Sequence, residues 1–164
     1  MNSNQPKIDI PKSRFERLFN VVAFGVLAAS IVYLITQYGG LPDKVPAHFN
    51  GAGEVDRFGN KIELIILPSI ALALWIGMTV LEKYPHTFNY MNLTKENAEA
   101  QYRNGRKMMN VLKNEIALLF SYLSFQSIQI SKELAEGIGM FFMPVFLVAI
   151  FGSLIFFSIR MFRL

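Results

Sequence analysis

Residues 41–61 of the chain concentrate the side chains that can do chemistry. Within thirteen positions this segment holds one imidazole, two carboxylates and two amides, on His48, Asn50, Glu54, Asp56 and Asn60. Such groups bind cations or hydrogen-bond a ligand. Their spacing matches neither a calcium EF-hand nor a zinc motif on a helix. A hydrogen-bonded structural loop, a ligand-binding surface and a cation site all remain open, and we assign no metal and no cofactor.

The usual residue patterns of enzyme active sites are missing from the sequence. His86 is the only other histidine, and the topology derived below places it across the membrane from His48, so the two cannot form one acid–base pair. The chain contains no cysteine, no serine in a nucleophile elbow and no glycine-rich phosphate loop. The sequence therefore predicts a non-enzymatic protein without catalytic residues.

Four apolar stretches must position the loop. They contain no Asp, Glu, Lys or Arg and cover residues 18–38, 64–81, 116–130 and 137–159. A hydrocarbon core about 30 Å thick needs about 20 helical residues, because irregular backbone would leave amides unpaired in lipid. In a chain of 164 residues that is 52% hydrophobic, little remains for a separate soluble domain.

These stretches predict one all-α integral membrane domain, residues 1–164, built as a four-helix bundle. A loop or short hairpin caps the bundle outside the cytoplasm, and the third helix extends far into the cytoplasm. The predicted spans are about 18–38, 64–81, 110–130 and 137–160.

The third span is the polar one. Ser121, Ser124 and Ser127 fall on one side of a helix, whereas Gln126 and Gln129 lie on the other. This distribution favours a helix enclosed by its neighbours. The polar groups either hold the bundle together by hydrogen bonds or line a translocation path. A cap at position 94 and the absence of a clear stop predict one helix over residues 95–130.

Charge sets the expected orientation. Of the 16 Lys and Arg residues, 12 lie in the two terminal segments and in residues 82–115. Because positively charged segments stay in the cytoplasm, both termini and residues 82–115 should be cytoplasmic, with residues 39–63 and 131–136 outside. The net charge of +4 is spread over flanking segments without a long basic block, so no nucleic-acid partner is expected.

A basic face is predicted on the cytoplasmic part of the third helix. Helical spacing brings together four side chains, those of Arg103, Arg106, Lys107 and Lys113. Such a face can contact anionic lipid headgroups, which makes membrane lipids the first expected partners. The alternative is a solvated face that serves only to set the topology.

The outer loop resembles a known family. Its residues 41–61 read LPDKVPAHFNGAGEVDRFGNK. This segment is similar to the bacterial membrane family of domain of unknown function 1648, whose pattern has Pro-Asp, Pro, His-Phe-Asn, Gly-Glu, Asp, an aromatic residue and Lys at these places. Asn60 stands where the family more often has a small residue. A second stretch, with Tyr84-Pro85 and residues 88–90, is similar to the four-span members.

The resemblance implies a multi-pass protein of the bacterial cytoplasmic (inner) membrane. The same domain opens longer Sdp-type immunity proteins, which protect bacteria from a secreted killing peptide, but their additional C-terminal helices are not found here. We therefore expect an immunity-like protein, or a module that binds a peptide or another membrane protein. The alternative is a small transporter or a structural subunit of a larger membrane complex.

The outer loop should then carry the function. His48 and Asn50 are the expected contacting residues, and Glu54 and Asp56 are the expected supporting acceptors. An exposed loop has no packing reason to hold these four polar groups, which is why they are assigned to binding.

The topology can be checked by cysteine labelling, since the chain has no native cysteine. In intact cells, an impermeant maleimide should label Asn50→Cys, whereas Arg103→Cys should react only after the membrane is permeabilised. The reverse pattern would show that the orientation is wrong.

Overall fold

The computed structural model describes residues 5–164, of which most are helical. Four α-helices and a two-stranded antiparallel sheet follow one another along the chain as α1 (Arg14–Gln37), β1 (Lys44–Phe49), β2 (Val55–Asn60), α2 (Ile66–Leu81), α3 (Ala98–Ser131) and α4 (Phe142–Arg163). The four helices agree with the predicted bundle. The all-α assignment is incomplete, because the loop between α1 and α2 forms a β-hairpin.

Three helical segments among residues 5–164 are long and apolar enough to cross a membrane, namely Arg14–Gly40, Lys61–Leu81 and Phe142–Arg163. The predicted third span, residues 110–130, is not among them. It belongs to α3, a helix of 34 residues whose polar side chains lower its hydropathy. The structure is therefore that of a membrane protein with three apolar helices and one polar helix.

The polar helix α3 occupies the centre of the fold. It packs against α1, α2, α4 and β1, while the other three helices turn large apolar side chains outward. Val148 of α4 and Val21 of α1, for example, remain 74% and 71% exposed. This arrangement is the one expected in lipid, where apolar surface faces the acyl chains and polar surface is enclosed by protein.

The serine face of α3 is buried, as its spacing predicts. Ser121, Ser124 and Ser127 are each no more than 3% exposed. The glutamines are less enclosed: the Gln126 amide donates to the Tyr122 hydroxyl at the surface, and the Gln129 amide donates to the Tyr33 hydroxyl at 3.1 Å.

The α3 helix begins slightly later than predicted. Thr94 and Asn97 exchange side-chain and backbone hydrogen bonds of 2.8 and 3.3 Å in the turn that precedes Ala98. Gly105 does not interrupt the helix. A Cβ atom there would lie 2.8 Å from the Tyr90 hydroxyl, so glycine allows this ring to lie against the helix.

A buried ion pair joins α1 to α3 at the end of the fold that holds residues 5–13 and the C-terminus. The Arg106 guanidinium Nε donates to Glu16 Oε1 at 3.0 Å, and both side chains are almost fully buried. The same guanidinium donates to the backbone carbonyls of Ile10 and Pro11. Glu16 also completes a capping box with Ser13, so one carboxylate both begins α1 and pairs with α3.

A second buried cluster joins α2 to α3. The Glu82 carboxylate lies 2.6 Å from Lys113 Nζ and 2.5 Å from Lys12 Nζ, and it accepts a hydrogen bond of 3.0 Å from the Asn110 amide. Lys113 also donates to the Thr79 hydroxyl at 2.8 Å. These polar contacts lie at the ends of the apolar helices and fix α1, α2 and α3 relative to one another.

Arg106 and Arg103 offer a matched test of this cluster. Arg106→Ala should lower the free energy of unfolding by about 3–5 kcal/mol, because it leaves the buried Glu16 carboxylate without a partner. Arg103→Ala removes only an exposed pair with Glu99 and should cost about 0–1 kcal/mol.

Unfolding in detergent micelles, followed by helix content, would measure both. Equal losses of stability in the two variants would contradict the assignment.

Candidate functional site

The hairpin formed by β1 and β2 is an ordered structure held by its own side chains. Strand β1 pairs with β2 in antiparallel register, with irregularities around His48. In the turn, Asn50 Oδ1 accepts from the backbone N–H groups of Ala52 and Glu54 at 2.9 and 3.0 Å, and Asn50 Nδ2 donates to Glu54 Oε2 at 2.9 Å. The predicted binding residues Asn50 and Glu54 therefore shape the turn.

His48 and Asp56 form a pair on the exposed surface of the hairpin. The imidazole Nδ1 lies 2.6 Å from Asp56 Oδ1, and the two side chains remain 65% and 42% exposed. Little packing holds them, so both groups stay accessible to a ligand. The structure thus brings the four predicted binding residues together as two hydrogen-bonded pairs.

The tip of the hairpin is attached to the loop between α3 and α4. The Gly53 carbonyl accepts a hydrogen bond of 2.9 Å from the Ile138 backbone N–H. Gly53 has a φ of +84°, and a Cβ atom there would lie 2.7 Å from the Gly139 carbonyl oxygen. Only glycine combines this backbone conformation with such a close approach.

A polar cluster that the sequence did not reveal supports the base of the hairpin. Arg57 Nη2 donates to Glu63 Oε2 at 2.8 Å and to the Ala47 carbonyl at 3.2 Å. The hydrogen bond that Arg57 donates to the Glu63 carboxylate raises the pKa of the Arg57 guanidinium above its usual value. Asn60 caps the turn before α2, so it has a structural role. The spacing of an Arg and a Glu six residues apart carried no signal of this contact.

A groove of about 390 Å³ lies between the hairpin and the helix ends nearest to it. One wall is formed by β1, and the others by α2, α3 and the start of α4. Most of its lining is apolar, including Leu64, Leu67, Leu123, Ile138, Phe142 and Met143. Polar groups stand at its edge and on its floor, including those of His48, Asn50, Arg57 and Ser124.

The Ser124 hydroxyl is an unsatisfied polar group in this groove. It is buried, and it has no hydrogen-bond partner among the residues that the structure describes. A buried polar group without a partner costs about 1–3 kcal/mol, so a ligand that pairs with it gains that interaction. The regular spacing of serines in α3 was the sequence signal for this residue.

The predicted binding residues divide between the groove and the surface. His48 and Asn50 line the groove, whereas Glu54 and Asp56 do not. Within residues 5–164, no group of three or more His, Asp or Glu side chains is placed to hold a metal ion.

The predicted basic face on α3 does not form as one surface. Arg103 is exposed and pairs with Glu99, and Lys107 is half-buried. Arg106 and Lys113 are buried and paired with Glu16 and Glu82, so they do not contribute to an exposed basic face. The physical reason is that α1 and α2 bring carboxylates to this side of the helix.

Comparison with known proteins finds a family match in the first half of the chain. Residues 25–72 match the family model described as Domain of unknown function (DUF1648). The match runs from the middle of α1 through the hairpin into α2 and confirms the resemblance seen in the loop.

A relative is similar over a longer stretch of the chain. An uncharacterized protein of Archaeoglobus fulgidus is 38% identical over 88 residues, which cover 46% of this chain and 46% of that protein. The similarity thus spans about half the length of this curated relative. No solved structure matches the chain.

The attachment of the hairpin tip can be tested with two glycines of the same turn. Gly53→Ala should lower the free energy of unfolding by about 1–3 kcal/mol, since it combines a left-handed backbone with a clash at Gly139. Gly51→Ala is the control, because a Cβ atom there meets nothing within 4 Å.

Hydrogen exchange at the Ile138 amide should rise in Gly53→Ala alone. Equal protection in both variants would show that the tip is not held by this contact.

Proposed function

We propose that this chain, which carries a domain of unknown function in residues 25–72, is a non-enzymatic membrane protein that binds an extended peptide segment in the outer groove. The segment belongs to a secreted peptide or to the exposed part of another membrane protein. The groove itself carries the proposal, because it is apolar, open at the edge and bounded by the hairpin.

The shape of β1 favours an extended ligand. The last four residues of β1, from Pro46, and the following Asn50 all line the groove. Because neighbouring side chains of a strand point to opposite faces, an unbroken run of lining residues means that the edge of the strand borders the groove. Within residues 5–164 the sheet has two strands, which leaves β1 with one edge that no strand covers. An unpaired edge beside apolar pockets is the arrangement by which proteins add a peptide as a further strand.

Polar groups at defined places would orient such a segment. The exposed imidazole of His48 stands at the edge, and the Ser124 hydroxyl lies on the floor without a partner. A peptide supplies backbone N–H and C=O groups that can meet both. The apolar side chains of the segment would then cover Leu67 and Phe142.

The middle of the fold supports binding over transport. Leu27, Ala71 and Ala117 pack together in a fully buried apolar layer. This layer separates Asn114 from Ser121 along α3, so the polar groups of the helix form no continuous row. A small transporter or a structural subunit remains the alternative function.

The proposed location is the bacterial inner membrane, with both termini in the cytoplasm and the hairpin outside. In this orientation the groove faces the side from which a secreted peptide arrives, which suits an immunity-like role. The basic residues that flank the apolar helices support the orientation.

A photoreactive residue in the groove tests the proposal in living cells. Benzoylphenylalanine at Leu67, which lines the groove, should form an adduct with a polypeptide. The same residue at Leu74, two turns deeper on α2 and exposed on its apolar surface, should capture only lipid.

Filling the groove provides the control for specificity. Leu67→Trp should abolish polypeptide adducts formed from Met143, another groove residue, and should leave the melting temperature nearly unchanged, because Leu67 is only half-buried. Lipid adducts alone at both Leu67 and Met143 would contradict the proposed function.

A further inference from the structure

A second cavity lies at the opposite end of the fold and is unrelated to the outer groove. It encloses about 500 Å³ between the segment before α1, the turn after α2 and the side of α3. Its walls carry four Lys or Arg side chains and one histidine, those of Lys7, Lys12, Lys83, Arg106 and His86. Two carboxylates, those of Asp9 and Glu82, also line it, which leaves a net positive charge.

The cavity has a fixed frame. Arg106 holds the segment before α1 through the carbonyls of Ile10 and Pro11, and Ile10 packs against Tyr102 and Ala98. On the other side, the Tyr90 hydroxyl donates to the Pro85 carbonyl at 2.8 Å. These contacts position both walls without any ligand.

Only some of the basic side chains that line the cavity are paired with carboxylates. Arg106 and Lys12 pair with Glu16 and Glu82. In contrast, within residues 5–164 neither Lys7 nor Lys83 forms an ion pair, and no hydrogen bond is made by the His86 side chain. The ammonium groups of Lys7 and Lys83 and the imidazole of His86 therefore line one cavity and are available to bind a ligand.

We propose that this cavity, here named the basic cleft, binds a phosphate-bearing anion, and that the phosphate is the headgroup of an anionic phospholipid. Lys7 and Lys83 provide the charge, and His86 provides a further hydrogen-bonding group. Phosphate oxygens accept hydrogen bonds from both ammonium and imidazole N–H groups.

The surroundings of the basic cleft favour a lipid source over a soluble one. Leu81 and Tyr84 flank it and remain 46% and 49% exposed, next to the apolar surface of α2. Tyrosine is typical of the boundary between headgroups and acyl chains. A phosphate held here therefore has apolar protein surface beside it for its acyl chains.

The basic cleft is tested with the full chain in detergent by counting retained lipids in native mass spectrometry. Wild-type protein should retain phosphatidylglycerol in preference to phosphatidylcholine, which has the same phosphate but no net charge. Lys7→Gln/Lys83→Gln should lower phosphatidylglycerol retention by roughly tenfold or more, since each basic residue near a lipid surface contributes severalfold.

The control is Lys44→Gln/Lys95→Gln, which removes the same charge from two exposed lysines outside the basic cleft and should retain lipid like wild type. Equal retention by the two double variants would overturn the proposal.

Inorganic phosphate separates the two possible sources. Added to the delipidated protein, it should shift the melting temperature less than phosphatidylglycerol does. An equal shift would assign the basic cleft to a soluble phosphate compound and overturn the lipid source.

Discussion

The cost of placing charged side chains among apolar helices governs this structure. The two cations Arg106 and Lys113 lie on the buried side of α3, where an unpaired charge would be costly. Each pairs with a carboxylate from another part of the fold, Glu16 of α1 and Glu82, which directly follows α2. Pairing these two buried cations of α3 therefore fixes the positions of α1 and of the end of α2. Their apolar surfaces then face outward, which is the surface that a bilayer requires.

The outer groove follows from the same arrangement at the other end of the bundle. The hairpin is attached at its tip, where the Gly53 carbonyl accepts from the Ile138 N–H, and its strands are closed at the base, where the Lys61 N–H donates to the Asp43 carbonyl. Arg57 and Glu63 add a side-chain contact near the base. Because these contacts hold both ends of the hairpin, β1 spans the ends of the helices and encloses a groove beneath it. The apolar floor comes from helices whose spacing the ion pairs set.

The predicted binding loop illustrates how much a sequence can say about a site. Residue types and their concentration singled out residues 41–61 as the candidate segment, and the family match covers it. The sequence did not predict which of the four side chains hold the turn and which remain accessible. Asn50 and Glu54 are used by the turn, whereas His48 and Asp56 stay accessible, because these roles depend on the strand register. Ser124, which lies far away in the chain, joins the site only through folding.

The sequence by itself determined the features that depend on local composition. The length of the apolar runs gave the membrane location, glycine and asparagine gave the hairpin turn, and the lack of a stop gave the long α3 helix. Only the tertiary structure decided which basic residues of α3 are buried. Arg103 and Arg106 are neighbours on one helix, and their environments differ because Glu16, 90 residues away, reaches only one of them. Burial of a charge depends on a partner from another helix, and helical spacing does not specify that partner.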